Sequence, residues 1–234
     1  MRLNKYIADA GIASRRKADE LTINGNVKIN GKAMREPGYQ VKDGDKVVVN
    51  GVLISKAEKK TYIALNKPKG YVTTMDDDKG RLIVADLVKD VNARVYPVGR
   101  LDYNTTGLLL MTNDGDLANK LTHPKHETPK VYRAHVAGVL SGQKLAKLRN
   151  GIDIGGYITK RAKVEVIKQG ERSAIAEIQI HEGKNRQVRK MFAAVGCPVQ
   201  ELERVAIGEI RLGRLKEGHY RKLSREEVDY LLSL

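Results

Sequence analysis

Leu3, Tyr6 and Ile7 recur at i, i+3 and i+4, which puts three apolar side chains on one face of a short helix. Gly11 follows where such a helix ends in a left-handed turn. Ser14 stands as an N-cap before a second helix, with Ala18 and Leu21 at core spacing and an expected stop near Asn24-Gly25. The period then changes to two. Val27-Lys28-Ile29 alternates, Asn30-Gly31 marks a hairpin, and Asp43-Gly44-Asp45 turns the chain into Lys46-Val47-Val48-Val49, with Asn50-Gly51 turning it again. Residues 1–55 therefore read as a compact α/β unit. Residues 56–60, Lys-Ala-Glu-Lys-Lys, have charge but neither strand nor core pattern and read as a linker. Beyond it, strands are expected at 62–65, 107–112, 130–136, 162–167 and 174–180, and helices at 143–149 and 226–232. A further helix is expected in the segment 182–192, where Val188, Met191, Phe192 and Val195 form a stripe at i, i+3, i+4 and i+7. Residues 61–234 are thus an α+β domain, with no internal repeat or low-complexity tract.

Charge narrows the class of partner. Among 234 residues, 43 are basic and 28 acidic, a formal charge of +15, and a field of that sign favours a polyanion, either nucleic acid or an anionic membrane surface. The longest apolar runs, such as Leu108-Leu109-Leu110-Met111, are far too short for a bilayer, and the start of the chain has no signal-peptide core. A cytoplasmic protein with no membrane partner is expected. Cys197 is the single cysteine, which excludes an intrachain disulfide and a cysteine-based metal cluster. His123, His126 and His181 match no zinc spacing, so no metal is expected. One Phe and no Trp argue against a broad base-stacking platform.

Five segments are candidates for function, each with an ordinary alternative. Arg15, Arg16 and Lys17 open the second helix and suit phosphate contacts, or form a solvated basic face. Asn66-Lys67-Pro68-Lys69-Gly70 is a rigid turn after a strand, fit for structural duty. In Gly99-Arg100-Leu101-Asp102-Tyr103-Asn104-Thr105-Thr106-Gly107, Asp102 is either a turn-capping side chain or a carboxylate held at a strand edge facing a cleft. Alternation along 130–134 puts Lys130, Tyr132 and Ala134 on one strand face, so Tyr132 either offers its ring to a base or is a core or rim residue. Arg186, Arg189 and Lys190 flank the apolar stripe near residue 190, an ordinary basic surface or guanidinium groups aimed at a cleft.

Residues 2–49, with Arg-Leu-Asn-Lys-Tyr-Ile, Gly-Ile-Ala-Ser-Arg-Arg-Lys-Ala and Gly-Asn-Val-Lys-Ile-Asn-Gly-Lys, resemble the small RNA-binding domain named after a small-subunit ribosomal protein, the S-four domain. Gly-Arg-Leu-Asp followed by Thr-Gly-Leu-Leu-Leu, with the order of all the segments, resembles the RsuA-type pseudouridine synthase family over essentially the whole chain. The details lean towards its large-subunit (RluB-like) branch. The resemblance implies an α+β architecture: a small N-terminal S-four-like domain and a larger catalytic domain with a mainly antiparallel mixed sheet. It implies Asp102 as the catalytic carboxylate, Tyr132 stacked on the target base, and Arg189 as the basic partner, with Arg186 and Lys184 as weaker candidates. Leu101 and Thr106 would position Asp102, while Lys67 and Pro68 support the cleft. RNA contacts are expected from Arg15, Arg16, Lys17, Lys67, Arg100, Lys184 and Arg186.

The implied reaction detaches uracil from ribose, turns it, and rejoins it through carbon five. The carboxylate is a nucleophile at the sugar or a base at its 2′ carbon. The uridine must first be flipped out of its stack. No cofactor is expected, the partner is ribosomal RNA or a ribosomal precursor, and the protein should be a monomer. Two rival readings are a non-catalytic RNA-binding protein and a glycoside-cleaving hydrolase. The latter needs a second carboxylate opposite Asp102, for which the sequence offers only Glu182 nearby in motif order.

Overall fold

The computed structural model describes residues 1–54 and 59–234, so Lys56–Glu58 of the expected linker lie outside the described residues. The chain parts into two compact units, Met1–Thr61 with Val91–Val95 and Thr112–Gly115, and the remainder.

In the smaller unit, α1 (Leu3–Asp9) and α2 (Arg15–Ile23) precede four short strands, β1 (Val27–Ile29), β2 (Lys32–Met34), β3 (Val47–Val49) and β4 (Val52–Ile54), in an antiparallel sheet of order β2-β1-β3-β4. Ser14 caps α2, its Oγ accepting from Lys17 N at 3.2 Å. Leu3, Ile7, Ala18, Val27, Ile29, Val47 and Val49 close one core, so the helical and period-two patterns converge on a single buried face.

The remaining elements are β5 (Tyr62–Lys67), β6 (Tyr96–Pro97), β7 (Thr106–Thr112), α3 (Gly115–Thr122), β8 (Lys130–Ala137), α4 (Gly142–Asn150), β9 (Lys163–Gln169), β10 (Ser173–Ile180), α5 (Gln187–Ala194), β11 (Val199–Ile207), β12 (Ile210–Arg211), β13 (Tyr220–Lys222) and α6 (Arg225–Ser233). Nine strands form one mixed sheet, with the path β13-β5-β7-β11-β8-β10-β9, β12 on β11 and β6 on β7. The β8, β9, β10 and β11 pairings are antiparallel, whereas β7 and β11 run parallel. Leu108 and Leu110 of β7 pack with Leu117, Leu121, Ile207 and Leu231. A second core gathers Ala134, Leu148, Ile178, Val188, Met191 and Phe192, so the stripe on α5 is buried.

Each expected strand and helix of this unit has a counterpart within two residues at its ends, with one exception. The segment 182–192 is a loop up to Arg186, and α5 begins at Gln187. Two sizeable elements, α3 and β11, were not anticipated. Glu201, Glu203 and Arg204 interrupt the apolar reading of β11, yet it lies in the middle of the sheet. Gly107 makes its parallel pairing possible. It faces Arg204 with φ +101°, and a Cβ there would lie 2.4 Å from the Arg204 carbonyl oxygen, closer than any side chain tolerates. Among the described residues no helix is long and apolar enough to cross a membrane.

Candidate active site

The Asp102 loop is fastened on both sides before it enters β7. Thr73 Oγ1 donates to the Leu101 carbonyl at 2.7 Å and accepts from Leu101 N at 3.2 Å. Gly70 N donates to the Tyr103 carbonyl at 2.9 Å, and Thr105 N to the Asp102 carbonyl at 3.0 Å. Lys67 supplies the charge under this turn. Its side chain is fully buried, with Nζ donating to the carbonyls of Pro68 at 2.8 Å and Thr105 at 3.0 Å. Burial pulls its pKa from 10.5 to about 8, against the charges of Asp102 and Glu217. The expectation that Lys67 contacts RNA is corrected here. With no exposed surface, Lys67 holds the loop that carries Asp102.

Asp102 opens into a cavity of about 460 Å³, within the range of small-molecule sites. Its side chain is 35 % exposed, and Arg186 Nη1 lies 3.8 Å from Oδ2. Arg186 sits just before α5 with φ +52° and ψ +31°, a left-handed conformation that costs energy outside glycine. Buried Gln187 stabilises it. Gln187 Oε1 accepts from Lys184 N at 3.0 Å, while Nε2 donates to Glu182 Oε1 at 2.5 Å. A single carboxamide thereby closes the 182–187 loop on itself and fixes where Arg186 projects.

Arg189, one turn into α5, is engaged with backbone. Its Nη2 donates to the Asn104 carbonyl at 2.7 Å and its Nη1 to the Val199 carbonyl at 3.3 Å, with Thr105 Oγ1 3.5 Å from Nη2. Burial, followed by the nearby Arg186 charge, lowers the pKa of Arg189, and Asp102 opposes both. Arg189 therefore grips the backbone two residues beyond Asp102, while Arg186 makes the ion pair.

The cavity also receives Tyr132 from β8, along with Arg100, Lys184 and Arg186 at exposed positions. Lys184 Nζ lies 4.6 Å from the centroid of the Tyr157 ring. Arg15, Arg16 and Lys17 belong to the other unit, exposed in the first turn of α2, and Lys17 is paired with Glu20 at 2.7 Å. Two cavity residues with unused charge were not singled out from sequence as site residues, Lys130 on β8 and Arg204 on β11. Strand alternation already set Lys130 beside Tyr132. Nothing local marks Arg204, because the strand that carries it was not recognised.

Glu182 lines the same cavity as Asp102, the placement that a two-carboxylate hydrolase would require. Its oxygens are occupied, however, by the Tyr157 hydroxyl, by Lys160 N at 2.9 Å and by Gln187. Such a carboxylate is a structural acceptor rather than a free acid or base. Among the described residues no group of three His, Cys, Asp or Glu side chains is placed to hold a metal ion.

Comparison with known proteins aligns with this geometry. The family model described as RNA pseudouridylate synthase matches residues 61–194, and the S4 domain model matches residues 1–47. The ribosomal large subunit pseudouridine synthase B of Bacillus subtilis (strain 168) is 45% identical over 100% of this chain and 96% of its own length. The dual-specificity RNA pseudouridine synthase RluF of Escherichia coli (strain K12) is 40% identical over 100% of this chain and 79% of its own. A crystal structure of a pseudouridylate synthase superposes with a TM-score of 0.71 at 33% identity, covering 99% of both chains.

Proposed function

The chain belongs to the RNA pseudouridylate synthase family, and from that premise we propose that it converts a specific uridine of ribosomal RNA to pseudouridine, with Asp102 as the catalytic carboxylate. Large-subunit RNA is the substrate we favour, on the strength of the full-length similarity to a relative named for that subunit. The observation that carries the reading is the Asp102 carboxylate, ion-paired with Arg186 at the edge of a cavity that also holds Tyr132. We assign residues 1–55 to RNA binding, 56–60 to a linker and 61–234 to catalysis, in a monomer acting in the cytoplasm.

Each group has a defined task. Arg186 sets a positive charge 3.8 Å from the Asp102 carboxylate and orients it at the edge of the cavity. Arg189 and Lys67 hold the loop so that the carboxylate meets the sugar at a fixed angle. Tyr132 offers a flat face to a base flipped into the cavity. Arg100, Lys184 and Arg186 are exposed and suited to phosphates flanking the flipped nucleotide. An ionised Asp102 then attacks C1′ or removes the 2′ proton, and neither route needs redox chemistry.

Asp102→Asn tests the assignment. It keeps the size of the side chain and removes its charge, so pseudouridine formation should fall by at least about 10³-fold while RNA affinity changes little. Product formation at the normal rate would reject Asp102, and release of free uracil would instead favour a hydrolase. Mapping pseudouridines in ribosomal RNA from cells with and without the gene identifies the target. A site lost from small-subunit RNA alone would overturn the large-subunit assignment.

A further inference from the structure

Lys130 and Arg204 bring two positive charges to the cavity that the roles assigned above leave unused. Tyr132 lies on the same face of β8 as Lys130, and Arg204 is its partner across the β8/β11 ladder. Arg204 is only 3 % exposed. Its Nε donates to the Leu108 carbonyl at 2.7 Å and its Nη1 reaches the Tyr132 hydroxyl at 3.5 Å. Nη2 is buried without a hydrogen-bond partner. Lys130 Nζ donates to the Thr128 carbonyl at 2.8 Å, which uses one of its three protons.

Neither cation has a carboxylate partner among the described ion pairs, although three carboxylates line the same cavity. Asp102 is taken by Arg186, Glu127 by Lys160, and Glu182 by Tyr157, Lys160 N and Gln187. A buried arginine beside a half-buried lysine, with no counter-ion for either, is costly to maintain. Such an arrangement is suited to an anion that forms inside the cavity.

Building on the isomerase reading, we propose that Lys130 and Arg204 form the subsite that receives uracil as it leaves the sugar, with Lys130 a catalytic residue. When the C1′–N1 bond breaks, its electron pair passes to the base and spreads over N1 and the two carbonyl oxygens. Lys130 Nζ donates to one of those oxygens, and the Arg204 charge behind Tyr132 adds to the field that holds the anion while it turns. Carbon five then bonds to C1′ as C1′ parts from the Asp102 oxygen or, on the other route, as C2′ regains its proton. The proton on carbon five leaves and N1 gains one, so the atoms balance as an isomerisation. Burial, with the Arg204 charge acting in the same direction, brings the Lys130 pKa down to about 8. Lys130 is therefore still largely protonated at neutral pH, yet a stronger acid than an exposed lysine, a good match for an oxygen gaining charge. A phosphate could meet the same charges, but Arg100, Lys184 and Arg186 already offer exposed contacts to phosphate.

The test compares single-turnover transfer of the sugar from N1 to carbon five, read as formation of the carbon-linked base, by the wild-type enzyme, Lys130→Gln and Lys130→Arg. The substrate is a ribosomal RNA transcript carrying uridine or 5-fluorouridine at the target, where fluorine blocks only the final loss of the carbon-five proton. Fluorine makes the departing base a more stable anion, so it depends less on protein donors. Lys130→Gln is expected to slow conversion of uridine by about 10²-fold. Its RNA dissociation constant should stay within about threefold of wild type. The slowing should be smaller on 5-fluorouridine, and Lys130→Arg should restore part of the rate. Weakened RNA binding with an unchanged rate at saturation would make Lys130 a phosphate contact and overturn the proposal. Equal slowing on both transcripts would overturn it as well, leaving Lys130 a merely structural role. If Lys130→Gln does not fold, the comparison of transcripts is made with Lys130→Arg. Conversion by the wild type and its loss in Asp102→Asn report separately on the isomerase reading.

Discussion

Lys67 shows how one side chain can serve a site without facing it. Its ammonium is buried beneath the Asp102 loop, bound to two carbonyl oxygens, and shifted from 10.5 to about 8 by burial. A lysine whose folded pKa is depressed costs stability wherever the folded chain must keep it charged. Between about 8 and 10.5 the unfolded chain binds more protons than the folded one, so the contribution of Lys67 improves as pH rises through that window. It is fully regained above 10.5 and lost as pH falls through 8. Urea unfolding of wild type and Lys67→Met should therefore diverge between pH 8 and 10, with wild type gaining up to about 1.4 kcal/mol per pH unit relative to the variant. Parallel curves would mean that Lys67 titrates normally. The residues alone place Lys67 in a rigid turn, and the resemblance adds both support of the cleft and an RNA contact. None of these reveals that its charge is buried, which depends on what folds over it. Tyr132 and Lys130 were more accessible to sequence reasoning, since alternation along one strand fixes their shared face whatever the rest of the chain does.

At the scale of elements, the loop before α5 matters more than the helix itself. The apolar stripe correctly located a buried helix, but a stripe says nothing about the residue at which the first turn closes. That point is set by Gln187, whose carboxamide joins Lys184 N to Glu182 and leaves Arg186 left-handed outside the helix. Gln187→Leu keeps the volume and burial while removing both hydrogen bonds. It should lower turnover by about tenfold to 10²-fold with little change in KM, as expected when an interaction in the transition state loses its orientation. Combining it with Arg186→Gln should give little further loss, because both changes act through the same guanidinium. Fully additive losses would show that Gln187 acts elsewhere. The central strand β11 escaped recognition for a related reason. Its charged residues are spent on partners far away in sequence, Arg204 on Leu108 and Tyr132, and Glu203 beside Arg133, so the pattern resembles a polar loop until those partners are known.

Over the whole molecule, the two-part organisation and the α+β class were legible, because each unit has its own change of period and its own apolar set. The charge of +15 pointed to a polyanion but could not say which cations meet it. The first turn of α2 gives a physical reason to choose Arg15 and Arg16. It contains no acidic residue, although the helix dipole favours anions there and disfavours cations. Two exposed arginines at that end weaken the isolated helix, while a bound phosphate would reverse the penalty by supplying the negative charge that both the dipole and the guanidinium groups attract. Replacing both with glutamine should then weaken RNA binding uniformly across sequences. For single-stranded contacts it should make the slope of log affinity against log salt shallower by about 1.4, roughly 0.7 for each lost phosphate contact. Single-turnover conversion at saturating enzyme should be unchanged, because every group assigned to the chemistry belongs to the catalytic unit. Titrations of wild type and the double variant over a range of salt measure both quantities. An unaltered slope would place the RNA on another face of the N-terminal unit, and a fall in the saturated rate would mean that these arginines help present the uridine rather than simply hold the RNA.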